Sequence, residues 1–145
     1  MYVTRYLLLF ISLLLAADAA AQSQRMAVAS EVANIRSGPD TKSEVLWQVE
    51  RYYPLLVIEK KDPWYRFKDI DGHQGWIHKS LLDTTATVIV RVRRANLRSG
   101  PGTENAIVFD AEKGTPFKVL TRKSAWLEVQ HADGDSGWIF KSLVW

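Results

Sequence analysis

The sequence predicts an all-β protein made of two tandem small β-barrels behind an N-terminal signal peptide. Three observations lead to this fold class. The chain matches itself without a gap when it is shifted by 62 residues. Apolar residues beyond the first 21 alternate with a period of two, and helical periodicity is weak. Gly, Pro and Asp turn signals separate the apolar runs. With 145 residues, 47% hydrophobic and 24% charged, the composition excludes a disordered, collagen-like or wholly membrane-embedded chain.

Residues 1–21 are predicted to be a secretory signal peptide. Arg5 supplies the positive charge, residues 7–17 form an apolar run broken only by Ser12, and small residues follow in an Ala-x-Ala pattern. The run is shorter than the roughly 18 residues that span a bilayer, although an uncleaved anchor remains an alternative. We therefore expect an exported protein, periplasmic or secreted, with no transmembrane span in its mature chain.

Two motifs occur twice at the same offset. Residues 33–39, ANIRSGP, match residues 95–101, ANLRSGP. Residues 75–81, GWIHKSL, match residues 137–143, GWIFKSL. A repeat of this length indicates two copies of one structural unit.

The repeat also sets the domain boundaries. Of the 56 positions aligned between residues 28–83 and 90–145, 21 are identical. We expect a first barrel at 28–83, a linker at 84–87 and a second barrel at 88–145. Because the linker is short, we expect the barrels to touch or to hold a restricted orientation.

Each copy contains about five candidate strands. Apolar runs that follow a proline, at 55–58 and 117–120, predict buried strands. Alternation predicts half-buried strands with these inward residues: Tyr65 and Phe67 in the first copy, Leu127 and Val129 in the second, and Val88, Val90 and Val92 at its entry. Asp-Gly pairs suit the hairpin turns. Five short strands in so few residues form a small barrel, in which large aromatic residues dominate the core.

Taken together, these motifs resemble the bacterial SH3-like (SH3b) domain family and its exported tandem proteins in proteobacteria. The resemblance covers nearly the whole mature chain, twice. It implies an SH3-like barrel for each copy and recognition of peptidoglycan, foremost its peptide stems, or of an envelope protein. One departure is Tyr52-Tyr53-Pro54, where the second copy keeps the family's pattern, Gly114-Thr115-Pro116. The tight turn of the first copy is therefore in question, and a wider loop is the alternative.

Several classes of chemistry are excluded. The chain has no cysteine, which removes disulfide frameworks, thiolate metal sites, cysteine nucleophiles and a lipidated N-terminal cysteine. His73 has Asp135 as its counterpart and His78 has Phe140, so neither histidine is repeated. Packed or solvated histidines fit this pattern better than metal ligands or acid–base groups. We predict a protein that is not an enzyme and that needs no metal or cofactor.

The charge distribution argues against nucleic acid as a partner. The chain carries a net charge of +3, while residues 28–83 sum to −1 and residues 90–145 to +3. Arg91, Arg93 and Arg94 cluster at the entry to the second copy. Three arginines are too few for the broad basic field that nucleic-acid binding needs.

Six residues are candidates for ligand binding because their types suit a peptide or sugar ligand: Asn34, Arg36, Trp64, Asn96, Arg98 and Trp126. The hypothesis is a shallow groove beside each Asn-x-Arg-Ser-Gly-Pro loop, with a tryptophan wall and an arginine for a carboxylate. The alternatives stay open. Asn, Ser, Gly and Pro also build turns, and each tryptophan faces either a ligand or a covering loop.

Two functions follow from these expectations. The first is a non-enzymatic binding module in the cell envelope that recognises peptidoglycan stems. The second is a protein–protein adaptor whose two barrels form one unit and dock an envelope enzyme or receptor.

Overall fold

The computed structural model describes residues 22–145, which form two β-sheets joined by a short connection. The predicted signal peptide lies outside these residues and stays a prediction. Apart from the strands, the regular elements within residues 22–145 are two 3₁₀ turns, Lys79–Leu81 and Lys141–Leu143. The all-β class and the tandem arrangement of two small barrels are confirmed.

The first barrel is a curled antiparallel sheet of seven strands. The strands are β1 Gln24–Val28, β2 Val32–Arg36, β3 Val45–Glu50, β4 Pro54–Lys61, β5 Trp64–Lys68, β6 Gln74–His78 and β7 Leu82–Asp83. Their order across the sheet is β3-β2-β6-β5-β4-β1-β7, so β3 has a free edge.

The second barrel repeats this sheet with six strands. They are β8 Thr87–Ile89, β9 Arg94–Arg98, β10 Ile107–Glu112, β11 Pro116–Lys123, β12 Trp126–Gln130 and β13 Ser136–Phe140. Their order is β10-β9-β13-β12-β11-β8, the same as that of β3 to β1 in the first sheet. The internal repeat of the sequence is therefore also a repeat of strand topology.

Each core is built around one fully buried phenylalanine. Phe67 on β5 and Phe117 on β11 are both 0% exposed. Trp47 packs edge-on against Phe67 with a ring-centroid distance of 6.3 Å, and Phe109 lies 6.4 Å from Phe117. Buried rings of this size contribute much of the stability of a barrel this small.

The glycine before the repeated tryptophan allows two paired strands to approach closely. A Cβ at Gly75 would collide with the side chain of Ile35 on β2. A Cβ at Gly137 would come within 3.0 Å of the Leu97 Cβ on β9. Each Gly-Trp glycine therefore lies where two paired strands approach closely, β6 with β2 and β13 with β9, and the approach is closer at Gly75 than at Gly137.

The turn between β3 and β4 is as tight as its counterpart, so the wider loop does not form. Tyr52 adopts a left-handed φ of +73°, close to the +89° of Gly114. The amide of Tyr52 donates to the carbonyl of Val28 at 2.8 Å, and that of Gly114 donates to Val90 at 2.9 Å. These shared hydrogen bonds hold the turn in place although tyrosine disfavours this conformation.

Val88 and Val90 lie in the second core and Val92 packs against it, as the alternation predicts, but the entry strand is buried on both faces and is not half-buried. The strand covers Thr87–Ile89, and all three of its residues are buried. The reason is that β8 contacts β4 of the first barrel, so its outward face is covered as well.

Candidate functional site

An open groove crosses the outer face of the first barrel, and we call it groove 1. Its volume is about 450 Å³. The β2–β3 side contributes Asn34, Arg36 and Thr41, and the opposite side contributes Trp64 and His78. Three of the six predicted site residues therefore line one groove.

The second barrel has a matching groove at the equivalent place, which we call groove 2. Its volume is about 520 Å³. Asn96, Arg98 and Thr103 lie on one side, and Trp126 and Phe140 on the other. The remaining three predicted site residues line this groove.

Strand alternation explains why these side chains point outward. On β2, Ala33 and Ile35 are buried in the core, so Asn34 and Arg36 face the opposite side. On β5, Phe67 is buried, and Trp64 stands on the outer face. The burial of the core residues thus determines which side chains of the same strands face outward and line the groove.

Arg36 and Arg98 fasten the loops that border the grooves. Nη1 of Arg36 donates hydrogen bonds to the carbonyl oxygens of Thr41 and Ser43, both at 3.0 Å. Arg98 repeats both bonds at the equivalent residues of the second barrel, again at 3.0 Å. Nε and Nη2 of each guanidinium make no hydrogen bond within residues 22–145. Each arginine therefore holds its loop through Nη1 and also lines its groove.

The two asparagines have different neighbours. Oδ1 of Asn34 accepts a hydrogen bond from Nε2 of Gln48 at 2.8 Å. The position equivalent to Gln48 is Asp110, which pairs with Nη1 of Arg94 at 2.8 Å. Asn96 is exposed, and its side chain makes no hydrogen bond within residues 22–145. Groove 1 is thus bordered by amides where groove 2 has an ion pair.

Trp64 and Trp126 are half-buried. The ring of Trp64 meets His78 edge to face with a centroid distance of 5.2 Å. Trp126 meets Phe140 at 5.4 Å. Each ring packs against its cross-strand neighbour and also borders its groove.

Sequence reasoning missed the cross-strand partners of these tryptophans as groove residues. Trp64 pairs with His78 in the β5–β6 register, and Trp126 pairs with Phe140 in β12–β13. The Nδ1 atom of His78 also lies 2.8 Å from Oγ of Ser80, which lines groove 1 too. The sequence pattern could have identified them. His78 and Phe140 directly follow the inward-facing Ile77 and Ile139, so strand alternation places both on the outer face.

The described part of the chain has no cluster of three metal-ligating side chains. His73 lies 3.4 Å from a carboxylate oxygen of Asp69, and His131 lies 3.4 Å from one of Glu50. Residues 22–145 also include no helix with the length and hydropathy to cross a bilayer.

The family model for the bacterial SH3 domain matches residues 29–84 and again residues 91–145. The chain belongs to the bacterial SH3 domain family. The two matches cover β2 to β7 and β9 to β13, and they include every residue named as lining the grooves.

Two curated relatives are amidases by name. The putative N-acetylmuramoyl-L-alanine amidase YrvJ of Bacillus subtilis is 22% identical over 136 residues, which are 86% of this chain and 26% of that protein. The probable cell wall amidase LytH of Staphylococcus epidermidis is 38% identical over 61 residues, which are 41% of this chain and 21% of that protein. The chain therefore spans about a quarter or less of the length of these relatives.

Solved structures of low overall similarity also match. NlpC2 from Trichomonas vaginalis has a TM-score of 0.39 at 14% identity, covering 86% of this chain and 48% of that one. An NlpC/P60 family protein from Bacillus cereus has a TM-score of 0.42 at 14% identity, covering 84% and 56%.

Proposed function

We propose that this protein is a non-enzymatic module of the bacterial cell envelope that binds peptidoglycan through its peptide stems. The observation that carries the proposal is the repetition of one groove. Asn, Arg and Trp occupy equivalent positions in both grooves, although the surrounding residues differ. Each groove is open along its length, which suits a chain rather than a small enclosed molecule.

The groove residues match the chemistry of a short peptide. The carboxamide of Asn34 or Asn96 can pair with a ligand amide, since it both donates and accepts. The ring of Trp64 or Trp126 offers a flat apolar wall. Nε and Nη2 of Arg36 can donate to a carboxylate, which peptide stems carry.

The relatives support the same compartment. Both carry names that refer to the cell wall or to a muramoyl amide, and in each the matching segment is a small part of the protein. The predicted signal peptide would export this chain to that compartment. These points support an envelope-directed binding module and do not rest on any catalytic group.

Co-sedimentation with purified sacculi tests the proposal. We expect the wild type to pellet with sacculi and the double variant Trp64→Ala/Trp126→Ala to stay largely in the supernatant. Leu120→Ala is the control, because Leu120 is an exposed apolar residue outside both grooves. Melting curves establish that all variants fold. A wild-type protein that stays in the supernatant would rule the proposal out.

A protein–protein adaptor is the second candidate, and one observation favours it. Val45 and Leu46 on β3 are 41% and 45% exposed, and Ile107 and Val108 on β10 are 53% and 50% exposed. Both pairs lie at free sheet edges and outside the grooves. Crosslinking in envelope extracts with Leu46→Lys and Val108→Lys variants tests this role. Loss of a specific crosslinked protein, with sacculus binding retained, would favour the adaptor.

A further inference from the structure

Groove 1 does not end within the first barrel. Val32 and Gln48, which line it, also line a cleft that includes Glu50 of the first barrel and Gly114 of the second. We call this the junction cleft. Groove 1 therefore runs up to the second barrel.

Groove 2 reaches the same place from the other side. Arg94 lines groove 2 and also a cleft formed with Arg93, Glu112 and Lys113. Lys113 adjoins Gly114 in the β10–β11 turn, whose glycine borders the junction cleft. Lys113 also contacts Asp71 of the first barrel, so each groove leads through a cleft to the junction between the barrels.

Contacts on two sides of the junction hold the barrels together. Nη2 of Arg25, on β1, donates to the carbonyls of Thr87 at 3.0 Å and Trp145 at 2.9 Å. Its guanidinium also stacks 4.3 Å from the Trp145 ring centroid. Burial, together with the charge of Arg122, lowers the pKa of Arg25.

The other side of the junction is held by an ion pair and by a histidine–carboxylate hydrogen bond. Nζ of Lys113 lies 3.1 Å from Oδ1 of Asp71. Nε2 of His131 lies 3.4 Å from Oε1 of Glu50. Exposed contacts of this kind are individually weak. Here they add to a short linker that already keeps the two barrels close together.

The grooves approach the junction at equivalent ends. Val32 and Arg94 occupy the same position in the repeat, and each lies where its groove reaches the junction. The loops fastened by Arg36 and Arg98 lie at the far ends. Because the same end of each groove faces the junction, the two grooves run outward from it in opposite directions.

We propose that the two grooves bind one ligand with two like arms, which are joined over the junction and run outward in opposite directions. If the grooves bind peptide stems, as proposed above, the ligand is a cross-linked stem pair, because two stems joined by a cross-link run from the joint to opposite glycan strands. A single stem would occupy one groove only.

The dimensions agree with this ligand. A compact domain of this size has a radius of gyration of about 10 Å, so two touching barrels have centres roughly 25 Å apart. An extended peptide of about eight residues covers this distance. Two tetrapeptide stems supply that length, and one stem does not.

The test compares a disaccharide tetrapeptide with its cross-linked dimer, both released from Gram-negative sacculi, by calorimetric titration. We expect two monomers but one dimer to bind each protein. We expect the dimer to bind about 100-fold more tightly or better, as for a ligand that engages two linked sites. In Trp64→Ala or Trp126→Ala, dimer affinity should fall to that of the monomer, while one monomer still binds.

A variant at the junction tests whether the fixed arrangement of the two grooves matters, or whether two independent grooves would bind the dimer equally well. In Arg25→Ala/Asp71→Ala, neither altered residue lines a groove, so monomer affinity should persist while the preference for the dimer drops several-fold. Glu59→Ala/Lys61→Ala, which removes an ion pair within the first barrel and likewise leaves the net charge unchanged, is the charge-matched control. A wild-type dimer preference of only about twofold would overturn the inference. Absence of binding by both ligands would instead overturn the proposed function.

Discussion

In the first barrel the large core ring stands on β5, whereas in the second it stands on β11. Leu55 and Phe67 of the first core are replaced by Phe117 and Val129 at the equivalent positions, and all four are 0% exposed. The aromatic residue on the neighbouring strand, Trp47 or Phe109, packs against the phenylalanine in either place. The comparison shows that this backbone needs a similar total volume of core side chains, and that the large ring can stand on either of the two strands.

Outside the cores the barrels differ at the junction and in the grooves. Tyr52 takes a left-handed conformation that Gly114 adopts without strain. The groove partner of the tryptophan is His78 in one barrel and Phe140 in the other. Duplication has thus kept the backbone and the groove while altering what borders them.

The largest expected change in stability comes from moving the core phenylalanine of the first barrel. Phe67→Val leaves a cavity in the first core and should lower the free energy of unfolding by roughly 2–3 kcal/mol. Adding Leu55→Phe reproduces the pair found in the second barrel and should recover more than half of the loss. Urea unfolding measures both variants.

Leu55→Phe alone is the control for this exchange. With Phe67 in place it overfills the core and should cost about 1–3 kcal/mol. If the double variant lost the sum of the two single losses, the cores would not be interchangeable.

The next effect should come from the arginine that fastens each loop. Arg36→Ala removes two hydrogen bonds to carbonyl oxygens, and Arg98→Ala removes the same two in the second barrel. We expect each to lower the free energy of unfolding by about 1–2 kcal/mol. Amide hydrogen exchange should show faster exchange in the affected loop alone. Unchanged exchange in both loops would mean that the bonds do not order them.

Substitutions at the equivalent turn positions 52 and 114 should give smaller changes in the free energy of unfolding, with opposite signs. Tyr52→Gly removes the strain of a left-handed tyrosine and should raise the free energy of unfolding by about 1 kcal/mol. Gly114→Ala should lower it by a similar amount, because its φ is +89°. A Cβ at Gly114 meets nothing within 4 Å, so conformation alone is tested. Two shifts of the same sign in thermal unfolding would contradict this account.

The smallest expected change in stability comes from the Tyr53 hydroxyl and appears only at alkaline pH. Burial, and then the negative charge of Asp69, raises the pKa of Tyr53 far above its ordinary value. Its hydroxyl donates to Oδ2 of Asp69 at 3.1 Å. The folded protein keeps a proton that the unfolded chain loses above about pH 10, so this stabilisation is complete below that pH and declines above it.

Tyr53→Phe should therefore flatten the stability profile in urea melts between about pH 9 and pH 11. The second barrel has Thr115 at the equivalent position, and Thr115→Val is the control without an ionisable group. A profile that is as steep in Tyr53→Phe as in the wild type would assign the alkaline loss to other residues.

Much of the fold could be predicted because it rests on local, repeated signals. Alternation placed Phe67, Leu127 and Val129 in the cores, and all three are buried there. The Tyr52 turn could not be predicted from residue preferences, because distant backbone hydrogen bonds decide its conformation. The burial of β8 was also missed, since its outer face is covered by the other barrel.

The candidate residues were found because each motif occurs twice, and the hypothesis of a groove beside the loop already put Asn34, Arg36 and Trp64 together. The relation of the two grooves to the junction was not predicted. The junction contacts are carried by residues such as Arg25 and Trp145, which are distant in sequence and lack a repeated counterpart in this role. A search for repeats cannot find contacts that occur once.

The loops fastened by Arg36 and Arg98 have a consequence for the rate of association. A loop that had to be ordered by its ligand would lose about 1 kcal/mol or more of conformational entropy per residue on binding. Here the guanidinium holds the loop before a ligand arrives, so that entropy is lost during folding. For any ligand that enters either groove, association should be limited by collision and orientation, without a slow ordering step.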